Sequence, residues 1–250
     1  MSGHSHWATI KRKKGAGDAK RGQLFTKCAK EITLAARDGG DPDTNFRLRL
    51  AIDKARSNNM PKDSIDRAIK RGTGENKDGA VFEDVLYEGY GPKGVAFMIE
   101  CVTENRNRTV ADIRHALSRA GGNLGESGSV AWQFTRKAYF LIGEPTMDFD
   151  SLFEVALEAG ADDIEQGDDG SIEIFAPVES FKSISDALFK ADQHMAEAEL
   201  RMIPNQEMEL SREEVMQVLR VVEGLEENDD VNQVYHNMAV PDDIYDGEEE

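Results

Sequence analysis

Residues 136–205 read RKAYFLIGEPTMDFDSLFEVALEAGADDIEQGDDGSIEIFAPVESFKSISDALFKADQHMAEAELRMIPN. Tyr139 to Ile142 is a short apolar run bounded by turn residues, which predicts a strand. Ser151 to Ala159 has helical periodicity. Asp163 to Gln166 and Ile172 to Phe175 flank Gly167 and Gly170 and predict a hairpin. Val178 to Gln193 returns to helical spacing, and Glu199 to Ile203 is a last strand. The order β-α-β-β-α-β is that of the ferredoxin-like split unit.

Working outward, the preceding residues hold strands at Val85–Tyr87 and Val95–Val102, separated by the turn YGPKG at 90–94. A helix is predicted to open at Thr109, where TVAD resembles a capping box, with Val110, Ile113 and Leu117 on one face. Gly121 and Gly122 stop it, and Val130 to Phe134 alternates as a further strand. Beyond the split unit lie a helix over Arg212–Glu226 and a strand over Val231–Tyr235. These two complete the sheet left unfinished at residue 135. The expected arrangement is therefore a discontinuous α+β domain of residues 80–135 plus 206–240, with a ferredoxin-like domain of residues 136–205 inserted in it. Residues 241–250, ending in GEEE, form an acidic tail with the composition of disordered chain.

The amino-terminal third reads differently. Residues 1–21 are rich in Lys, Arg and Gly and poor in apolar side chains, the composition of a flexible basic tail. Residues 22–79 predict an all-helical domain. Leu24, Phe25, Cys28, Ile32 and Ala35 share one helical face; a second helix begins near Asp43 and Thr44, and a third opens at Pro61 in a first-turn position.

Composition sharpens the contrast. The chain has 250 residues and a net charge of −18, with 39% hydrophobic residues, 7 Pro and 2 Cys. This suits a soluble, core-forming chain and excludes collagen, low-complexity and disulfide-stapled classes. Cys28 and Cys101 lack a CxxC partner and read as buried residues in a reducing compartment. No run approaches the roughly 18 apolar residues of a membrane span, and the amino terminus lacks a signal-peptide core, so a cytoplasmic protein without membrane partners is expected. The charge is segregated: residues 1–79 carry 18 Lys and Arg against 10 Asp and Glu (+8), while residues 80–250 carry 12 against 38 (−26). A cationic end on an anionic body is the pattern of a chain that seeks polyanions.

Enzyme signatures are missing: no GxSxG, HExxH, Walker loop or strand-GxGxxG-helix occurs. No catalytic residue, metal or cofactor is expected. His4 and His6 lack a third ligand nearby. Asp162 to Glu173 has the length of a calcium loop but places Ile164 at its third position and has no flanking helices, so a solvated hairpin turn is the better reading. GGNLGESG at 121–128 has no Lys and no following helix, so turn geometry rather than phosphate binding explains it.

Two features carry chemistry. The first is the basic patch of Lys11, Arg12, Lys13, Lys14, Lys20 and Arg21, continued by Lys27 and Lys30. Positions 1–37 hold nine cations and two acids. Such a patch binds phosphates by releasing condensed counterions, and Trp7 and Phe25 beside it are placed to stack on bases. The second is TENRNRT at 103–109. There Arg106 and Arg108 stand ahead of the predicted helix and either bind an anion or pair with acids of a neighbouring domain. On the third helix Arg67, Lys70 and Arg71 share a face, with Asp63 and Asp66 at pairing distance along it. No helix carries an obvious row of base-reading side chains, so backbone and shape contacts are expected.

The segments GHSHWATIKRKKGAGDAKRGQLFTK, EITLAAR, MPKDSIDRAIKRG, YEGYGPKG, TENRNRT and GGNLGESGSVAWQF, in this order, closely resemble the YebC/PmpR family, which includes a mitochondrial translational activator of cytochrome oxidase. The resemblance spans nearly the whole chain. It implies the three-domain plan reached above from the residues, and a probable DNA-binding transcriptional regulator of the cytoplasm. It equally implies, from other members, a ribosome-associated translation factor that contacts ribosomal RNA and relieves stalling at proline-rich stretches. His6 stands where many members carry a basic residue. The expectation is a non-enzymatic nucleic-acid-binding regulator whose partner is DNA or ribosomal RNA, and with the latter the ribosome. Nothing in the sequence sets an oligomeric state. A remote alternative is a hydrolase with a carboxylate site between domains.

Overall fold

The computed structural model describes residues 18–75, 81–167, 169–241 and 244. The expected flexible tail up to residue 17, residues 76–80 and the final GEEE lie outside them.

Three helices open the described chain: α1 (Asp18–Ala35), α2 (Phe46–Ser57) and α3 (Lys62–Gly72). Helix α1 starts inside the stretch expected to be tail, because Asp18 to Arg21 continue the helical register set by Leu24, Cys28 and Ile32. Helix α2 begins two residues later than expected. Asn45 supplies the cap, its side-chain oxygen accepting the Leu48 amide at 3.0 Å, whereas Asp41 to Thr44 are spent on a turn. Cys28, Ile32, Leu48, Ile52, Ile65 and Ala68 pack between the three helices, and Ile32 and Leu48 are fully buried. Each such large side chain contributes about 1.5–3 kcal/mol by leaving water.

Strands β1 (Glu83–Tyr90) and β2 (Ala96–Thr103) pair antiparallel, with β3 (Asn123–Leu124) on the far side of β1. Between β2 and β3 runs α4 (Arg106–Arg119). This helix begins at Arg106, not at Thr109. Asn105 is its cap, accepting the Arg108 amide at 3.1 Å, and Thr109 turns its hydroxyl inward. The strand expected over Val130–Phe134 is instead a short 3-10 turn, Ala131–Gln133, followed by β4 (Phe134–Ile142).

The chain then gives α5 (Phe149–Glu158), β5 (Asp163–Gln166), β6 (Ile172–Ala176), α6 (Phe181–Lys190) and β7 (Glu197–Pro204). The helix expected from Val178 begins as a 3-10 turn and ends at Lys190, where Asp192 takes a positive φ of 55°. Helix α7 (Arg212–Glu226) and β8 (Val231–His236) close the fold. The two four-stranded sheets have the orders β3-β1-β2-β8 and β5-β6-β4-β7, with every pair antiparallel. Each sheet packs helices on one face. Helices α4 and α7 cover the first, over Phe97, Ile99, Ile113 and Val218; α5 and α6 cover the second, over Phe140, Leu152, Ile174 and Leu188. Part of the expected acidic tail folds back as well: Ile244 is 1% exposed in the first core, and its carbonyl accepts from Arg212 at 2.9 Å.

The helical unit touches both sheets. Phe46 meets Phe181 edge to face at 5.2 Å, and Arg37 donates to the Phe82 carbonyl at 2.7 Å.

Candidate nucleic-acid interface

Helix α1 brings its cations to the end of α7 and the start of β8. The Lys27 ammonium donates to the Glu226 carbonyl in the last turn of α7, where the helix dipole favours positive charge. Lys30 reaches Asp230, with Nζ 2.7 Å from Oδ1 and 2.9 Å from the Asp229 carbonyl. Asp230 is 3% exposed. Its second oxygen, Oδ2, accepts Arg108 Nη2 at 2.9 Å and lies 2.9 Å from the Thr109 hydroxyl and 3.2 Å from that of Thr103. Burial alone raises this carboxyl, but the hydrogen bonds from Lys30, Arg108 and Thr109 outweigh it and hold it down at about 2.

Three segments far apart in sequence thus meet at one carboxylate: α1, the β2–α4 junction and the α7–β8 turn. Arg108 forms an ion pair with Asp230, within the segment grouping 80–135 plus 206–240 rather than with a neighbouring unit. Arg106 lies 3.6 Å from Glu83, both side chains being exposed. The predicted basic residues separate accordingly. Lys27 and Lys30 hold the chain's own carboxyl-terminal segment, and Arg21 lies on the exposed side of α1. Lys20 falls in the first turn of α1, while Trp7, Lys11, Arg12, Lys13 and Lys14 lie outside the described residues. Phe25, expected beside the patch as a stacking residue, is half-buried against the helical core. On α3, Arg67 bonds the Asp63 carbonyl and the Ser64 hydroxyl, and Lys70 and Arg71 are exposed.

Sequence reasoning missed Asp230. Its only signal is a pair of acids, Asp229–Asp230, among many in an acidic chain. It missed a second cluster too: Lys54 of α2 sits 3.0 Å from Glu31 of α1 and 3.9 Å from Glu199 of β7, and Asn232 of β8 donates to Glu31 at 2.7 Å. Burial lowers the Lys54 pKa, but Glu31 and then Glu199 overcome it and raise it. Beside this cluster a cleft of about 570 Å³ opens between the helical unit and both sheets, lined by Phe46, Leu50, Leu86, Glu100, Arg136 and Leu200. Burial raises the Glu100 carboxyl, whose Oε2 accepts the Tyr235 hydroxyl at 3.3 Å. Glu31 and Glu199 flank the Lys54 ammonium at the edge of this cleft. Among the described residues no three His, Cys, Asp or Glu side chains form a metal-binding set. The Asp162–Glu173 stretch is a β-hairpin whose Glu173 is fully buried in the sheet. No described helix is long and apolar enough to cross a membrane.

The molecule is a mixed helix-and-sheet chain of several packed units, with two antiparallel sheets and acidic clusters that tie them together. Comparison with known proteins places it more closely. The family described as TACO1/YebC protein N-terminal domain matches residues 5–75, and that described as TACO1/YebC second and third domain matches residues 82–238. The chain belongs to the TACO1/YebC family. A probable transcriptional regulatory protein of Chlorobaculum parvum is 49% identical over 251 residues, covering all of both chains. Another of that description, from Pectobacterium carotovorum, is 49% identical over 98% of each. The crystal structure of a conserved hypothetical protein from Aquifex aeolicus superposes with a TM-score of 0.81 at 40% identity, covering 90% of this chain and 92% of that one.

Proposed function

We propose that the protein is a non-enzymatic regulator of gene expression in the cytoplasm that binds nucleic acid through its amino-terminal cations, in the role of a DNA-binding transcriptional regulator. The single observation that carries this is the segregation of charge, +8 in residues 1–79 against −26 in the rest. Lys11 to Lys14, Lys20 and Arg21 neutralise phosphates, and counterion release drives the association. The acidic body repels polyanions and leaves the electrostatic hold to the basic end. Relatives named as probable transcriptional regulatory proteins, similar along the whole chain, support the reading.

In this reading residues 22–79 form a helical domain, residues 80–135 plus 206–240 a discontinuous α+β domain, and residues 136–205 a ferredoxin-like domain inserted in it. The strand order β5-β6-β4-β7 and the pairing of β8 with β2 support that division.

A second reading, a translation factor on the ribosome, is favoured by one observation. Lys27 and Lys30 of α1 point into the protein rather than outward, so α1 offers few groups to read base edges. Ribosomal RNA supplies phosphate and shape without requiring base readout.

Lysate sedimented through sucrose, with and without nuclease, separates the two. Binding to promoter fragments without co-migration supports the first, and co-migration with the large subunit supports the second. In either case log K falls with log[salt] at a slope near −5, for roughly five to six neutralised phosphates, and deleting residues 1–21 flattens it. A slope unchanged by the deletion sinks the proposal.

A further inference from the structure

The GGNLGESGSVAWQF segment presents one exposed tryptophan on a loop fixed from beneath. Trp132 is 72% exposed, and its indole N–H donates to the Ser129 carbonyl at 3.1 Å. The loop under it is held by a single carboxylate. Glu88 of β1, 6% exposed, accepts the Gly128 amide at 2.7 Å and the Val130 and Ala131 amides at 2.8 Å each. Burial works against that charge, and the three backbone donors overcome it and lower the Glu88 pKa.

Further ties close the loop on either side. The Tyr90 hydroxyl donates to the Ser129 carbonyl at 3.1 Å, and the Gly125 amide to the Glu88 carbonyl at 2.8 Å. Asn205 donates to the carbonyls of Trp132 and Gln133, at 3.0 and 2.7 Å. The approach is so close that a Cβ on Gly122 meets the Tyr90 carbonyl oxygen at 2.2 Å, and one on Gly125 meets the Ser129 hydroxyl at 2.3 Å. This accounts for the glycines without any phosphate cradle. The loop is fixed, and it displays its one large aromatic residue.

We propose that Trp132 is a stacking platform for an unpaired nucleobase, a second point of contact for a single-stranded polynucleotide held electrostatically elsewhere. The inference rests on the nucleic-acid reading given above and names a further residue for it. A pre-organised aromatic ring stacks on any base without paying to order itself. The surroundings favour a base over a protein partner. Ser127, Ser129, Gln133, Thr135 and Asn205 neighbour Trp132 in the chain or by hydrogen bonding, and no other large exposed apolar side chain belongs to this loop. A lone ring in polar surroundings suits a base, which stacks on the ring face and keeps its own polar edge in water.

The chain has two tryptophans, Trp7 and Trp132, so the full-length Trp7→Phe variant reports Trp132 alone. A dye-labelled uridine oligonucleotide is titrated into it, with emission and anisotropy read together. The expected result is a saturable quench that follows the anisotropy. In the full chain, Trp132→Ala weakens binding about ten-fold, Trp132→Phe restores most of it, and the salt slope is the same in all three. Undiminished affinity in Trp132→Ala, or binding without a quench, overturns this proposal and leaves the basic-end reading standing. A quench by a basic amphipathic peptide but not by the oligonucleotide moves Trp132 to protein recognition and overturns it as well. No binding of oligonucleotide or duplex by the unmodified chain overturns both.

Discussion

Glu173 is the second residue of β6, between Ile172 and Ile174, on the sheet face away from the helices, and is fully buried. Burial raises its carboxyl to about 7, with Arg201 and the Tyr139 hydroxyl only partly opposing the shift. Across the same face, Arg201 bonds Glu197 and Glu199 and lies 3.7 Å over the Tyr139 ring, so its charge is already matched. The linkage has a definite sign. Between the ordinary Glu value of 4.5 and about 7 the folded protein holds a proton that the unfolded chain has lost, so stability falls as pH rises through that window. Glu173→Gln removes the penalty. The variant is expected to match the native protein near pH 4.5 and to exceed it above pH 7 by on the order of 3 kcal/mol. Urea unfolding at both pH values checks this, and an equal difference at the two refutes it.

At the scale of elements, the position of α4 is the instructive case. The sequence reading places the cap at Thr109, and the structure places it four residues earlier, at Asn105. An N-cap needs a free side-chain oxygen, and Thr109 has none to spare, because its hydroxyl lies between the Asn105 carbonyl, Thr103 and Asp230. Asn105 therefore starts the helix, and Arg106 and Arg108 enter its first turn, where the dipole disfavours them. Arg108 is compensated by Asp230, a carboxylate 122 residues away in sequence. Asn105→Ala is expected to cost about 1 kcal/mol in thermal or urea unfolding. Thr109→Ser, which keeps the hydroxyl, is expected to cost less than Thr109→Val, which keeps the shape and leaves Asp230 short of a donor.

At the scale of the whole molecule, the ties between units are electrostatic at a few buried points. Asp230 joins α1, α4 and the α7–β8 turn; Lys54 joins α1, α2 and β7. Since the Asp230 carboxyl is lowered from 3.8 to about 2, its contribution is complete above pH 4 and is lost as pH falls towards 2. Asp230→Asn is expected to destabilise the protein by about 2 kcal/mol at neutral pH, with the difference from the native chain narrowing over that acid window. Hydrogen exchange at the end of α1 and in the α7–β8 turn is expected to rise together. Faster exchange in one alone means that Asp230 does not join them.

The sequence by itself determined most of the elements and their order, but not β3, the 3-10 turn at Ala131–Gln133 or the full length of β4. Helix α7 appears where its periodicity places it, as do β5 and β6 around their glycine turn. The reason is local: apolar spacing, turn residues and the alternation of faces act within a few residues. It also determined the segregation of charge, a property of composition alone. Only the tertiary structure decided which charges are spent. Lys27, Lys30 and Arg108 look alike in the sequence as candidates for an anion, yet each is directed to a carboxylate or carbonyl more than a hundred residues away. Burial made Asp230 and Glu88 into structural anchors among 48 acids, and burial is a result of packing that no local pattern of residues encodes.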